Sequence, residues 1–103
     1  MTLEKLQQTV DTWIREHGGY WGKFEILARL TEELGEVAAT LQRSEGLRPR
    51  KVEANLDDEV GDLLFTLAAF ANANGLSLEA AFGRVLEKYN LRDSSAWKEQ
   101  RGT

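Results

Sequence analysis

Apolar residues recur at intervals of three and four along most of the chain, and no segment alternates apolar with polar residues at the period a strand requires. Side chains at those intervals share one face of an α-helix, so the pattern dictates an all-α fold. Leu3, Leu6, Val10, Trp13 and Ile14 predict a first helix over 2–16, with His17 as its C-terminal residue and Gly18 and Gly19 as its stop. Phe24, Leu27, Ala28, Thr31, Leu34, Ala38 and Leu41 predict a long second helix over 23–43, and Leu56, Val60, Leu63, Leu64, Leu67, Ala68 and Ala71 a third over 53–74, stopped by Asn74 and Gly75. Ser77 is a good N-cap for a fourth helix reaching Leu91, with Glu79 in its first turn and a stripe of Leu78, Ala81, Phe82, Val85, Leu86 and Tyr89. The segment 44–52 carries the single proline, Pro49, among Arg48, Arg50 and Lys51, and reads as an exposed loop. Residues 93–103, polar apart from Trp97, read as an extended tail.

With 103 residues, 42% of them hydrophobic, the chain has apolar material for one core, so 1–103 reads as a single domain. The absence of cysteine excludes disulfides, thiolate-held zinc, iron–sulfur clusters and cysteine nucleophiles, leaving oxygen ligands and one histidine for metal chemistry. The N-terminus has neither the basic start nor the apolar run of a signal peptide, and no stretch reaches membrane-spanning length. The expectation is a soluble, cytoplasmic protein with no membrane partner. A formal net charge of −4 argues against nucleic acid as the main partner. Between Val52 and Gly83 there is no Lys or Arg, while basic residues flank that stretch on both sides. An acidic centre between basic flanks suits a metal site beside a phosphate site, and suits a solvated surface equally well.

A near-repeat weighs toward the first. Residues 32–38 read Glu-Glu-Leu-Gly-Glu-Val-Ala and residues 58–64 read Asp-Glu-Val-Gly-Asp-Leu-Leu, the second copy lying 26 positions after the first. Each falls inside a predicted helix, where Glu33 with Glu36, and Glu59 with Asp62, present two carboxylates on one face. Four positions on stand Val37, Thr40, Leu63 and Thr66, so neither pair has a following counter-charge; only Arg29 precedes Glu32 and Glu33 by about one turn. A single Glu-x-x-Glu on a helix is ordinarily a solvated face. Two under-compensated pairs are what a hard divalent cation requires, since Mg²⁺ takes oxygen ligands in octahedral geometry and leaves positions for water and phosphate. Gly35 and Gly61, each beside the acids and each costing about 1 kcal/mol relative to alanine in a helix, predict close approach of the two helices or room for a ligand.

At these residues the sequence resembles the MazG-like all-α nucleoside triphosphate pyrophosphohydrolases, with Glu32-Glu33-Leu34-Gly35-Glu36 and Glu59-Val60-Gly61-Asp62 standing for the family's two-part acidic signature. The resemblance runs from Trp13 to Trp97 and is strongest to small, single-domain bacterial members. It implies a bundle of four to five helices completed by dimerisation, hence a homodimer or homotetramer. It implies hydrolysis of a (deoxy)nucleoside triphosphate between the α- and β-phosphates to a monophosphate and pyrophosphate, in a house-cleaning or pool-control role. Glu33, Glu36, Glu59 and Asp62 would hold Mg²⁺, with Mn²⁺ as a substitute, and Glu32 would orient or deprotonate the attacking water. Lys88, Asn90 and Arg92 match a basic segment of the family that would meet phosphate. Trp21, with Trp13 and Tyr20, could stack on a base or belong to the core. Two other readings remain open: a phosphoribosyl-ATP pyrophosphohydrolase on the same fold, and a non-catalytic helical interaction module.

Overall fold

A computed structural model describes residues 1–49, 55–93 and 98–99. Four α-helices follow one another: α1 (Leu3–Glu16), α2 (Lys23–Ser44), α3 (Leu56–Ala73) and α4 (Leu78–Lys88), the last running into a π-helical turn over Tyr89–Asp93. Among the described residues there is no strand, and no helix is long and apolar enough to cross a membrane. The starts of α1, α3 and α4 are set by side chains that satisfy the free N–H groups of a first turn, whereas α2 begins after Gly22 without one. Thr2 accepts from Lys5 N at 3.0 Å, Ser77 from Ala80 N at 3.1 Å, and Asn55 from Asp57 N and Asp58 N at 2.8 and 3.3 Å. That asparagine is why α3 begins at Leu56, three residues later than the periodicity predicts. In the expected tail, Lys98 and Glu99 are helical rather than extended; residues 94–97, 100–103 and the loop positions 50–54 lie outside the described residues.

The helices α2 and α3 form the principal packed pair, antiparallel, because Ile26 near the start of α2 clusters with Ala68 and Ala69 near the end of α3, while Glu33 meets Glu59 and Asp62 further along. Val10 and Ile14 of α1 complete that small core, with Leu6, Tyr20 and Phe70 against it. The side chain of Gln7 ties α1 to the turn between α3 and α4. Its Nε2 donates to Asn72 Oδ1 and to the Leu76 carbonyl, both at 2.8 Å, and its Oε1 accepts from Leu78 N at 2.7 Å.

The seam of α2 is not the stripe that hydrophobicity predicts. Ile26, Glu33 and Thr40, seven residues apart, are the buried positions, with Leu30 and Val37 half-buried between them. Phe24, Leu27, Leu34 and Leu41 are exposed, as are Leu56, Val60, Leu64 and Leu67 on α3 and Phe82, Val85 and Leu86 on α4. Periodicity marks a face that has to be covered without saying by what. In the protomer these faces are open, and the dimensions agree. The radius of gyration is 16.9 Å, against about 13 Å for a compact domain of roughly 100 residues.

Candidate active site

Glu33 is 3% exposed although it is charged. It occupies the central seam position of α2, where a packed helix pair would ordinarily place an aliphatic side chain. Opposite it, Glu59 and Asp62 stand three apart on one face of α3, and one carboxylate oxygen from each of the three lies within 4.8 Å of the others. Burial is the main reason that the Glu33 carboxyl is held above its ordinary pKa. Arg29 opposes that shift, and repulsion from Asp62, Glu59 and Glu36 adds to it.

The relief for Glu33 comes from Arg29, one turn earlier on α2. Its Nη2 approaches Glu33 Oε1 at 2.6 Å while Nη1 donates to Glu32 Oε2 at 3.2 Å. One guanidinium against this many carboxylates leaves the group short of positive charge. The donor set fits a hard divalent cation. Adjacent oxygens around an octahedral Mg²⁺ lie about 3 Å apart and opposite ones about 4.2 Å, so small torsional adjustments of three side chains would close the set.

The carboxylates Glu33 and Asp62 line a cavity of about 450 Å³. The aromatic side chains of Trp13, His17, Tyr20, Trp21 and Phe65 line it too, with Arg29, Thr66 and the aliphatic Ile14, Ile26 and Ala69. Trp13 stacks on His17 with ring centroids 4.0 Å apart and meets Phe65 edge-on at 5.5 Å. The His17 Nδ1 donates to the Trp13 carbonyl at 2.7 Å, so the same residue caps α1 and walls the cavity. Two glycines aim this wall. Gly18 and Gly19 adopt φ of 106° and 91°, a region closed to most L-residues, and the reversal carries Tyr20 and Trp21 back over the mouth. There the Tyr20 hydroxyl donates to Asp11 Oδ1 at 2.5 Å.

The predicted site residues divide into three groups. Glu33, Glu59 and Asp62 converge as a metal-ligand set, and Trp21 lines the cavity that Glu33 and Asp62 close. Glu36 is exposed at the edge, near enough to raise the Glu33 pKa but outside the three-carboxylate set, and Glu32 is exposed and held by Arg29. Lys88, Asn90 and Arg92 are exposed on α4 and its π-helical turn, and Lys88 and Arg92 border a separate shallow groove with Arg84 and Glu87. The protomer does not bring Lys88, Asn90 or Arg92 into the acid-lined cavity. Gly35 and Gly61 make no close approach either: a Cβ at either position would meet nothing within 4 Å. Sequence reasoning missed Phe65 and the walling role of His17. It noticed Arg29 only as a spacing, although its position four residues before a buried acid was the available signal.

Residues 23–97 match the sequence profile of the MazG nucleotide pyrophosphohydrolase domain. The chain is 39% identical over 100 residues to the uncharacterized protein YpjD of Bacillus subtilis, covering 93% of this chain and 90% of that protein. The crystal structure of YpjD superposes with a TM-score of 0.78 at 38% identity, over 87% of this chain and 96% of that one. The crystal structure of the Bacillus-conserved MazG protein, a nucleotide pyrophosphohydrolase, gives 0.77 at 34% identity, over 92% and 96%.

Proposed function

Because the chain belongs to the MazG nucleotide pyrophosphohydrolase family, we propose that its cavity binds a (deoxy)nucleoside triphosphate, and that Glu33, Glu59 and Asp62, with Glu36 at the edge, hold Mg²⁺ for cleavage between the α- and β-phosphates. The observation that carries this reading is the burial of Glu33 in a helix seam beside two further carboxylates. A structural role would have favoured an aliphatic residue there, because a buried charge costs free energy that only a cation or strong hydrogen bonds recover.

When bound, Mg²⁺ supplies neutralisation of phosphate charge and activation of water for in-line attack. The chain's own residues supply the rest. The seam encloses Glu33 beside Glu59 and Asp62, so the three carboxylates are gathered before substrate arrives. The side chains of Trp13, His17, Trp21 and Phe65 offer stacking faces for a base. Because the same cavity is lined by the acids and by aromatic side chains, a nucleotide would bind with its phosphates toward Glu33 and Asp62 and its base against an aromatic face. Glu32, exposed one residue before Glu33, is assigned to orient or deprotonate the attacking water. The enzyme works in the cytoplasm on the nucleotide pool.

The open apolar faces support a homodimer in which α2 and α3 of two copies pack into a four-helix bundle. Leu27, Leu34 and Leu41 recur every seven residues along exposed α2, the spacing of a helix–helix seam. The accessible surface of 8096 Å² exceeds the roughly 5,800 Å² of a folded monomer of this size by an amount typical of one subunit's share of a large interface. Such packing would also offer Lys88, Asn90 and Arg92 a route to phosphate from a neighbouring protomer.

The test is to mix the purified protein with Mg²⁺ and a panel of nucleoside triphosphates and assay pyrophosphate, with EDTA, Glu36→Gln and Asp62→Asn as controls. Release that stops with chelation and in both variants is the expected result. Wild-type rates in those variants, or no pyrophosphate from any triphosphate, would defeat the reading.

A further inference from the structure

The position of Arg29 sets a conflict with the ion that the neighbouring acids are suited to hold. Its guanidinium sits 2.6 Å from one oxygen of Glu33 and 3.2 Å from one of Glu32. The Glu33 side chain is almost wholly enclosed, whereas that of Arg29 is half exposed, so the carboxylate is fixed and the guanidinium is the partner free to move. A divalent cation on Glu33 would come within a few ångströms of this unit positive charge. At about 5 Å, even the dielectric of water gives a repulsion worth roughly a tenfold change in affinity. The two cations therefore compete for Glu33.

Arg29 also lines the same cavity as Glu33, Asp62 and the aromatic wall. A guanidinium released from a carboxylate there faces the space assigned to the nucleotide, and its planar fork matches phosphate oxygens as well as it matches carboxylate. We propose that Arg29 is a two-position residue, closing on Glu33 while the metal site is empty and turning to the phosphate chain of the substrate once a divalent cation takes the carboxylate. The inference rests on the metal-site reading given above and adds a substrate-binding residue to it. Its consequence is a sequence of events built into one helix: metal entry frees the group that then grips phosphate, so metal and nucleotide each favour the binding of the other.

Arg29→Gln separates the two positions. Mn²⁺ binding to the nucleotide-free protein, read from the electron paramagnetic resonance signal of the free ion, is expected to tighten about tenfold in this variant. Binding of a non-hydrolysable α,β-imido deoxynucleoside triphosphate at saturating Mn²⁺ is expected to weaken by about tenfold. Circular dichroism checks the fold, and Arg29→Lys provides a second test if the glutamine variant loses it. Lysine keeps the charge without the fork, so Mn²⁺ affinity should stay near that of the wild type while nucleotide affinity falls. Weaker or unchanged Mn²⁺ binding in Arg29→Gln would show that Arg29 merely positions Glu33, and tighter Mn²⁺ with unaltered nucleotide binding would show that it never reaches phosphate; either result overturns the proposal. A wild-type protein that binds no Mn²⁺ at all would instead remove the metal site on which it stands.

Discussion

Asp62→Asn should stabilise the metal-free protein and destabilise the metal-loaded one relative to wild type. Asp62 takes part in two of the three carboxylate pairs in the group, each with oxygens within 4.8 Å. Two unit charges at that distance repel by about 1 kcal/mol at the dielectric of water and by four times as much at an effective dielectric near 20. Asp62 is exposed, so the lower figure applies, and salt reduces it further. Removing the charge therefore returns about 1–2 kcal/mol. The change sacrifices little, because the Thr66 hydroxyl bonds to the Asp62 backbone carbonyl at 3.0 Å and not to its carboxylate. For a domain of about 100 residues, each kcal/mol moves the melting temperature by roughly 4–8 °C. Mg²⁺ at about one hundred times its dissociation constant would add about 2.7 kcal/mol to the wild type, most of which the asparagine variant forgoes. Thermal unfolding at one fixed protein concentration, in EDTA and in Mg²⁺, should show the order of the two proteins invert. A variant that melts below wild type in EDTA would mean that the Asp62 carboxylate is a structural asset, and the electrostatic reasoning would fail.

Asp11 is held below its usual pKa of 3.8 by the hydrogen bond from Tyr20 and then by Arg15. The stability it contributes is therefore present above that value and lost as pH falls through the lower folded one; in Tyr20→Phe the Asp11 pKa should rise toward 3.8 by NMR titration, and an unchanged value would refute the assignment. Gly18→Ala places a Cβ at φ of 106° and should cost about 1–2 kcal/mol in chemical denaturation, with a raised KM because Trp21 is re-aimed; wild-type stability would contradict the backbone argument. Leu34→Glu lies on the exposed stripe of α2, so it should leave protomer helicity intact by circular dichroism yet halve the mass in light scattering, and an unaltered mass would rule that face out as the interface.

Local signals made the helices legible, and pairing between distant segments made the rest obscure. Ser77, Gly18 and Gly75 each act on the backbone within a few residues, so the start of α4 and the stops of α1 and α3 could be read from the chain directly, while the cap Asn55 at the start of α3 was passed over. The α2 seam could not, because Leu27, Leu34 and Leu41 outscore Ile26, Glu33 and Thr40 in hydrophobicity while the protomer buries the latter set. The acid cluster was legible for a different reason. Its two halves repeat a spacing, and neither half has a counter-charge one turn further on, so chemistry left a trace where packing did not. Phe65 and His17 left none, because an aromatic residue on a helix becomes a cavity wall only through what stands across from it. Lys88, Asn90 and Arg92 resemble the family's basic segment, yet the protomer keeps them on another surface; sequence likeness does not say where in the fold a residue falls.

The same contrast bears on the proposed dimer. The best-enclosed positions of α2 hold a carboxylate and Thr40, whose hydroxyl has no hydrogen-bond partner among the described residues, and those of α3 hold Thr66 and small alanines. Such a seam buries little aliphatic area, and each buried polar group that lacks a partner costs about 1–3 kcal/mol. An acid and two threonines have taken places where a helix pair would ordinarily gain its stability. The aliphatic side chains are displaced to the outer faces, where they contribute only if another surface covers them. Self-association would then be the condition under which a protomer can keep an acid in its core. It follows that variants which separate the subunits should lose metal affinity and thermal stability together, and a folded monomer that still binds Mg²⁺ with full affinity would break the link.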